Sequence, residues 1–162
     1  MEVEPAVRRH LLNDQAVRGY VGDRVYKQHL DEHVQGAGKR AIVLRVDGGW
    51  SQPDTVQTSE FPLLYIDFWA DRSRDSTGRA VADDAMDNAR AVYRVTDPLL
   101  HARRGERWGS FGTHRGLMVV SSARWSEPIV QTEMRSHGGT FLGVKLGDCA
   151  VVTAAYALHV LH

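Results

Sequence analysis

The sequence has little cysteine, no long apolar run and no excess of one charge. Its single cysteine, Cys149, cannot form a disulfide within the chain, so nothing indicates an oxidising compartment. No run of about 18 apolar residues occurs, and the acidic start MEVEP lacks the basic segment of a signal peptide. We therefore expect a protein that is made and used in the cytoplasm, without a signal peptide.

The charge balance argues against one class of protein in particular. Lysine and arginine number 20, aspartate and glutamate number 20, and the formal net charge is zero. A dedicated nucleic-acid-binding protein usually carries a basic excess. Neutrality leaves little self-repulsion, which is compatible with self-association. With 162 residues and 43% hydrophobic composition, residues 1–162 are expected to form a single domain with its own core.

A phosphate-binding loop is suggested by the stretch QGAGKR and then excluded by its spacing. A P-loop needs a glycine, four residues, then Gly-Lys-Ser/Thr. For Gly38 and Lys39 that first glycine would fall at His33, and Arg40 replaces the magnesium-binding hydroxyl. The stretch also enters a predicted strand, whereas a P-loop enters a helix. No G-x-S-x-G nucleophile motif occurs, and we predict neither a cofactor nor a catalytic set.

Two weaker candidates for chemistry are a histidine pair and the lone thiol. His29 and His33 are four residues apart, with Glu32 beside them, a spacing that could bind a metal on a helix. Zinc needs a third ligand and oriented partners, so we favour two solvated loop histidines and no metal site. Cys149 opens an apolar segment and is interpreted as a buried structural thiol.

Asp67 is the one carboxylate within a strongly apolar predicted strand. An unpaired carboxylate there would be unfavourable. One interpretation makes Asp67 an acid or base with a raised pKa. The interpretation that we favour pairs it with an arginine or places it at a subunit interface, because no nucleophile or second acid lies nearby in sequence.

Helical spacing is clearest at the N-terminus and in the middle of the chain. Val3, Val7 and Leu11 predict a first short helix with Pro5 in its first turn. Asn13-Asp14 can end that helix and cap a second, with Ala16, Val17 and Tyr20 facing inward. The long helix is predicted from Val81, Ala85, Ala89, Val92 and Tyr93, and Pro98 limits its length.

The remaining segments predict strands joined by long loops. After a Gly-Asp turn and a short extended piece at 21–26, the predicted strands are 41–47, 61–70, 117–125, 129–135, 140–146 and 149–161. The segment 61–70 is apolar on both faces and is expected to be central and covered on both sides. Strand is favoured over helix for 149–161. The fold class is therefore α+β: a mainly antiparallel sheet with one long and one or two short helices packed on it.

Three predicted loops contain the candidate contact residues. The loops span 27–40, 48–60 and 101–116. Trp69 is expected in the core, whereas the loop tryptophans Trp50 and Trp108 either form a contact surface or are covered by their own loops. The third loop has a local positive cluster of Arg103, Arg104, Arg107 and Arg115 with His101 and His114, in which Arg103, Arg104 and Arg107 are expected to be exposed. The candidate interface or lumen residues are Gly36, Gly38, Lys39, Arg40, Trp50, Arg103, Arg104, Arg107 and Trp108.

Four segments in order resemble a known family. They are VEPAVRRHLL, VRGYVGDRVY, AIVLRVDGG and FPLLYIDFWADRSRDSTGRAVADDAMDNARAVY. Together they resemble the tail terminator proteins of long-tailed bacteriophages, especially those of actinobacterial hosts. The resemblance covers the first 95 residues or so; the last third matches only in being β-rich.

The resemblance implies a structural role in the virion. Such proteins form a hexameric ring on the head-proximal end of the tail tube, stop tube polymerisation and provide the surface for joining the head. The implied partners are further copies of the chain, the major tail tube protein, a head-closure or connector protein, and DNA passing through the lumen, with no membrane. The alternatives are a head-closure or connector protein and, from another class, a small metal-dependent hydrolase that uses Asp67 or the histidine pair.

Overall fold

The computed structural model describes residues 3–28, 39–52, 59–79, 81–82, 84–101, 113–114, 117–125, 127–131, 140–141, 144–145 and 149–161. The helices are α1 (Glu4–Asn13), α2 (Gln15–Val21) and α3 (Ala85–Leu100). The strands are β1 (Val25–Lys27), β2 (Arg40–Gln52), β3 (Ser59–Asp71), β4 (Thr113–His114), β5 (Leu117–Arg124), β6 (Ile129–Gln131), β7 (Thr140–Phe141), β8 (Val144–Lys145) and β9 (Cys149–Leu161). The predicted α+β class is confirmed. Within these described ranges, no helix is long and apolar enough to cross a membrane.

Seven strands form one sheet with β3 and β9 at its centre. The order is β1-β2-β3-β9-β5-β4, with β6 also paired to β9. All of these pairings are antiparallel except β1 with β2. Strands β7 and β8 form a separate two-stranded sheet. The predicted central position of the 61–70 segment is confirmed, because β3 lies between β2 and β9.

The main core lies between one face of this sheet and the three helices. Even-numbered residues of β3 and β9, such as Phe68 and Tyr156, point to this side and are fully buried. Helix α1 contributes its predicted stripe, in which Val3, Val7 and Leu11 are completely buried. Alternation along a strand puts the odd-numbered residues on the opposite side. The two sides of the sheet therefore differ, and only one carries the helices.

The helix-terminal residues predicted at the N-terminus have their expected roles, but the predicted inward side of α2 is partly wrong. Pro5 lies in the first turn of α1, and Asp14 accepts a 2.9 Å hydrogen bond from the Val17 amide to cap α2. The predicted turn is present at Gly22, whose φ of +58° suits glycine. The expectation that Ala16 and Tyr20 face inward is wrong, since both are exposed. A helix of two turns presents only a narrow stripe to the core, and Val17 and Val21 occupy it.

The prediction of a loop over 48–60 is wrong at both ends. Strand β2 continues to Gln52 and β3 begins at Ser59, so the two strands form a long hairpin. The misleading signals were Gly48-Gly49 and Pro62. The ladder shifts between Asp47 and Trp50, which places the glycine pair in a β-bulge beside Pro62. Bulges are among the few positions where glycine and proline are compatible with a sheet.

The predicted bounds of α3 and of the C-terminal strands agree only in part with the structure. Ala85, Ala89 and Val92 are buried as predicted, but α3 begins only at Ala85, and Val81 is 61% exposed. The helix ends two residues after Pro98, at Leu100. Residues 149–161 form strand, as favoured. Of the predicted strands 129–135 and 140–146, the structure describes the short elements β6, β7 and β8.

A buried polar network joins α3 to the sheet. The Tyr156 hydroxyl donates a 2.9 Å hydrogen bond to Asp97 Oδ1, and Arg124 Nη1 lies 3.4 Å from Asp97 Oδ2. Arg124 also donates to the Tyr93 hydroxyl. Burial first, and then the Asp97 carboxylate, raise the pKa of Tyr156 far above its ordinary value. Tyr156 therefore stays protonated, and it ties the centre of the sheet to the last turn of α3.

Replacing Tyr156 with phenylalanine should destabilise the chain by about 1.5–3 kcal/mol, the range for a hydrogen bond to a charged group. Urea unfolding followed by circular dichroism measures the change. Tyr65→Phe is the matched control, because the described residues provide no hydrogen-bond partner for the Tyr65 hydroxyl. Equal effects of the two substitutions would contradict a specific contribution from the Asp97 contact.

His10 should make stability depend on pH. Its Nε2 lies 3.1 Å from the Leu99 carbonyl oxygen, which links α1 to the end of α3. Burial lowers the pKa of His10 below the ordinary value of 6.5, so the unfolded chain binds the proton more readily. The free energy of unfolding should therefore fall as the pH drops through 6.5. In urea titrations between pH 8 and pH 5, His10→Gln should flatten this dependence; an unchanged slope would refute the assignment.

Candidate functional surface

The side of the sheet on which the described residues place no helix is the candidate functional surface. We call it the helix-free face and define it by the odd-numbered residues 61–71 of β3 and 149–159 of β9, with 41–47 of β2. At one end Trp69, Cys149 and Val151 are at most 4% exposed and form a small second core with Ala41 and Val43. At the other end Phe61, Leu63 and Tyr65 are only half-buried. The face is thus closed at one end and accessible at the other.

The middle of this face contains a buried ion pair. Arg45 Nη2 lies 2.8 Å from Asp67 Oδ2 and 3.0 Å from Oδ1. The Thr153 hydroxyl donates a 2.6 Å hydrogen bond to Asp67 Oδ1. The Asp67 side chain is 1% exposed and that of Arg45 is 35% exposed. These residues come from three adjacent strands, because Val43 pairs with Asp67 and Asp67 pairs with Thr153.

This arrangement confirms the favoured interpretation of Asp67. A general acid or base needs an oxygen that can reach a substrate, whereas both oxygens of Asp67 are in contact with Arg45 or Thr153. The guanidinium compensates the buried carboxylate, as a buried charge requires. Asp67 therefore serves to hold three strands together, and the geometry gives no support to the hydrolase alternative that would use it.

Beside the ion pair lies an open depression of about 540 Å³. Its lining combines polar and aromatic groups: Gln28, Arg45, Val46, Asp47, Tyr65 and Thr153. Gln28 has φ +62°, a conformation that is uncommon for a residue other than glycine. The depression adjoins the accessible end of the helix-free face, so it belongs to the same surface.

Two large apolar side chains are exposed at the β9 side of this face. Trp125 is 66% exposed and Ile129 is 61% exposed. The Trp125 amide donates a 2.7 Å hydrogen bond to the Ala155 carbonyl, and Ile129 pairs with Thr153. Ala155 and Thr153 are odd-numbered, so both exposed side chains belong to the helix-free face. Exposed large apolar residues in a group mark contact surfaces.

Most of the sequence-predicted contact residues lie outside the described part of the chain. This holds for Gly36, Gly38, Arg103, Arg104, Arg107, Trp108 and Arg115, and for the histidine pair His29 and His33. Trp50 lies in β2 and not in a loop. Lys39 is exposed, and its carbonyl oxygen accepts a 3.0 Å bond from the Asp71 amide.

Arg40 has structural contacts within the chain. Its Nη2 donates a 2.7 Å hydrogen bond to Asn88 Oδ1, and its guanidinium lies 5.2 Å from the centre of the Tyr20 ring. Arg40 thereby links β2 to α2 and α3. His101, assigned to the basic loop, follows α3 and accepts a 2.9 Å hydrogen bond through Nδ1 from the Arg124 amide. Both residues help to position the helices.

Sequence reasoning missed Trp125 and Ile129 as candidate contact residues. Trp125 ends an apolar segment that reads as a buried strand, and no loop signal of the kind found at Trp50 or Trp108 surrounds it. The available signal was Glu127-Pro128, which separates β5 from β6, two strands that each pair with β9. In the part of the chain that the structure describes, no group of three or more histidine, cysteine, aspartate or glutamate side chains could hold a metal.

Removing Arg45 should destabilise the chain because it leaves the Asp67 carboxylate buried with Thr153 as its remaining partner. We expect Arg45→Met to lower the free energy of unfolding by about 2 kcal/mol, somewhat less than for a fully buried pair. The double variant Arg45→Met with Asp67→Leu should recover most of that loss, because apolar replacements of buried ion pairs are often neutral. Urea unfolding of both variants decides this; additive losses would contradict it.

Comparisons with known proteins address the fold. No protein-family profile matches the chain. No curated protein is detectably similar in sequence. A chain in a solved structure described as "Virion of native gene transfer agent (GTA) particle" is similar in structure, with a TM-score of 0.60 and 12% identity. The match covers 99% of this chain and 95% of the other. At this low identity the likeness concerns the fold, which this chain shares over almost its full length with a protein of that particle.

Proposed function

We propose that this chain is a structural protein of a phage-type virion, with an assembly role and no catalytic one. The observation that carries the proposal is the shared fold with a chain of the gene transfer agent particle, because it spans nearly all of both chains. The use of Asp67 in an ion pair supports the same conclusion.

Within this class, we propose the role of tail terminator. The ordered segments that resemble tail terminators coincide with elements of the structure: α1, the Gly22 turn with β1, the β2–β3 hairpin and α3. In this role the chain forms a hexameric ring at the head-proximal end of the tail tube. Its partners are then other copies of itself, the major tail tube protein and a head-closure or connector protein.

Ring formation is compatible with the surface chemistry. A closed ring with head-to-tail contacts needs two different contact surfaces on each chain. The helix-bearing and helix-free sides of the sheet differ in shape and composition, as such contacts require. A formal net charge of zero also suits a lumen that neither traps nor strongly repels passing DNA. The loop residues Gly36, Gly38, Arg103, Arg104, Arg107 and Trp108 are proposed to line the lumen or contact neighbouring proteins.

The proposal is tested in the intact particle. Chemical cross-linking of purified virions, followed by mass spectrometry, should join this chain to the major tail tube protein and to a second copy of itself. The isolated protein should also form a species of about six times the 18.1 kDa chain mass in sedimentation.

The outcomes separate the alternatives. Cross-links only to head-side proteins would favour the head-closure or connector role over the terminator role. Absence of the chain from virions would refute a structural role altogether. Stoichiometric metal in the purified protein that is lost with His29→Ala and His33→Ala would instead favour the hydrolase.

A further inference from the structure

The helix-free face combines exposed apolar side chains with exposed carboxylates. Trp125 and Ile129 lie across β9 from half-buried Tyr65, which pairs with Ala155, and together these three residues define what we call the apolar patch. With strands about 4.8 Å apart and a rise of about 3.3 Å per residue, the accessible part of the face measures roughly 14 by 20 Å.

Carboxylates lie at the border of the apolar patch. Among the described residues, two guanidinium groups lie near it: Arg45 is bound to Asp67, and Arg124, which is bound to Asp97, also interacts electrostatically with Glu127. Asp47 borders the depression and is exposed, and Glu127 is exposed between Trp125 and Ile129. Asp47 and Glu127 therefore place two exposed carboxylates at the border of the patch. Two copies meeting through identical patches would bring Asp47 and Glu127 of each close to those of the other, and like charges oppose such a contact.

The outward side of α3 carries exposed positive charge, which is complementary to the carboxylates at the border of the apolar patch. Arg90 and Arg94 are exposed one turn apart, with Asp87 as the nearby exposed acid. Neither arginine has an ion-pair partner among the described residues. Two like charges four residues apart slightly destabilise a helix, so their position is not explained by the stability of α3. At about 1.5 Å per residue, α3 is roughly 24 Å long, close to the length of the accessible face.

We propose that the apolar patch of one copy of this chain docks against the outward side of α3 of a second copy. Trp125 and Ile129 provide the apolar contact, and Arg90 and Arg94 lie against the acidic border formed by Asp47 and Glu127. Each copy uses a different surface for each neighbour, so the contact is heterologous and propagates from copy to copy. The inference that such contacts close into a ring rests on the proposed function. The contact itself is inferred from the apolar patch and from α3.

Directional disulfide trapping tests the geometry. One preparation carries Ile129→Cys and a second carries Arg90→Cys; Cys149 is 4% exposed and remains in both. After mild oxidation the mixture should give a cross-linked heterodimer, while each variant alone should give little. Homodimers from each variant alone, or no cross-link in the mixture at concentrations where the unmodified chain self-associates, would overturn the docking proposal. A wild-type chain that remains monomeric at all accessible concentrations would overturn it as well.

A matched pair of substitutions tests the energetic contribution. Trp125→Ser should weaken self-association about tenfold or more, as for an interface anchor. Val81→Ser is the control, because Val81 is similarly exposed, at 61%, but lies in the segment before α3, away from the patch. Sedimentation measures association, and urea unfolding verifies that both variants remain folded. Equal association of Trp125→Ser and wild type would refute the role of the patch.

The two proposals fail in different ways. If the chain is present in virions and cross-links to the tail tube, while Trp125→Ser assembles normally, the docking surface is wrong and the virion role stands. If trapping joins Ile129→Cys to Arg90→Cys but the chain is absent from virions, the docking surface stands and the virion role is wrong.

Discussion

The antiparallel pairing of β3 with β9 is the constraint on which the rest of the structure depends. It joins residues as far apart in sequence as Asp67 and Thr153 and places the C-terminal strand in the middle of the sheet. The neighbouring elements are attached to this pair: β2 on one side, β5 and β6 on the other, and α3 across both. Contacts of such long sequence separation form at a high cost in loop-closure entropy, which the apolar surfaces of both strands offset on burial.

Two polar clusters add specificity to this apolar framework. On the helix-free face, Asp67 binds Arg45 and Thr153, so the contacts join three strands. On the other face, Asp97 binds Tyr156 and Arg124 and thereby positions α3. A carboxylate removed from water tolerates few arrangements of its neighbours. Each cluster therefore opposes any slip of strand register, which would move its members to the wrong side of the sheet.

The two faces of the sheet differ in how they are covered. One face is fully occupied by helices, and the other is closed near Trp69 but accessible near Tyr65 and Trp125. A central strand with apolar residues on both faces favours burial of both. In an assembling particle protein, a neighbouring subunit can complete that burial. Arg90 and Arg94 of α3, which have no ion-pair partner in the described part of the chain, are consistent with such a contact.

The sequence by itself determined the elements whose signals are local. Helical spacing predicted α1 and α3, β-branched and aromatic density predicted β3 and β9, and Asp67 in an apolar strand predicted a buried ion pair. It could not name Arg45 as the partner, because strand register is a property of the whole sheet. From Gly48-Gly49 and Pro62 the sequence predicted a loop, which is wrong. These residues lie at a β-bulge of the hairpin, where glycine and proline are compatible with a sheet. Glu127-Pro128 could have indicated that the strand ends near Trp125, but the side of the sheet to which Trp125 belongs was decided by tertiary structure, since the side that the helices cover depends on how all strands are ordered and no local pattern records that order.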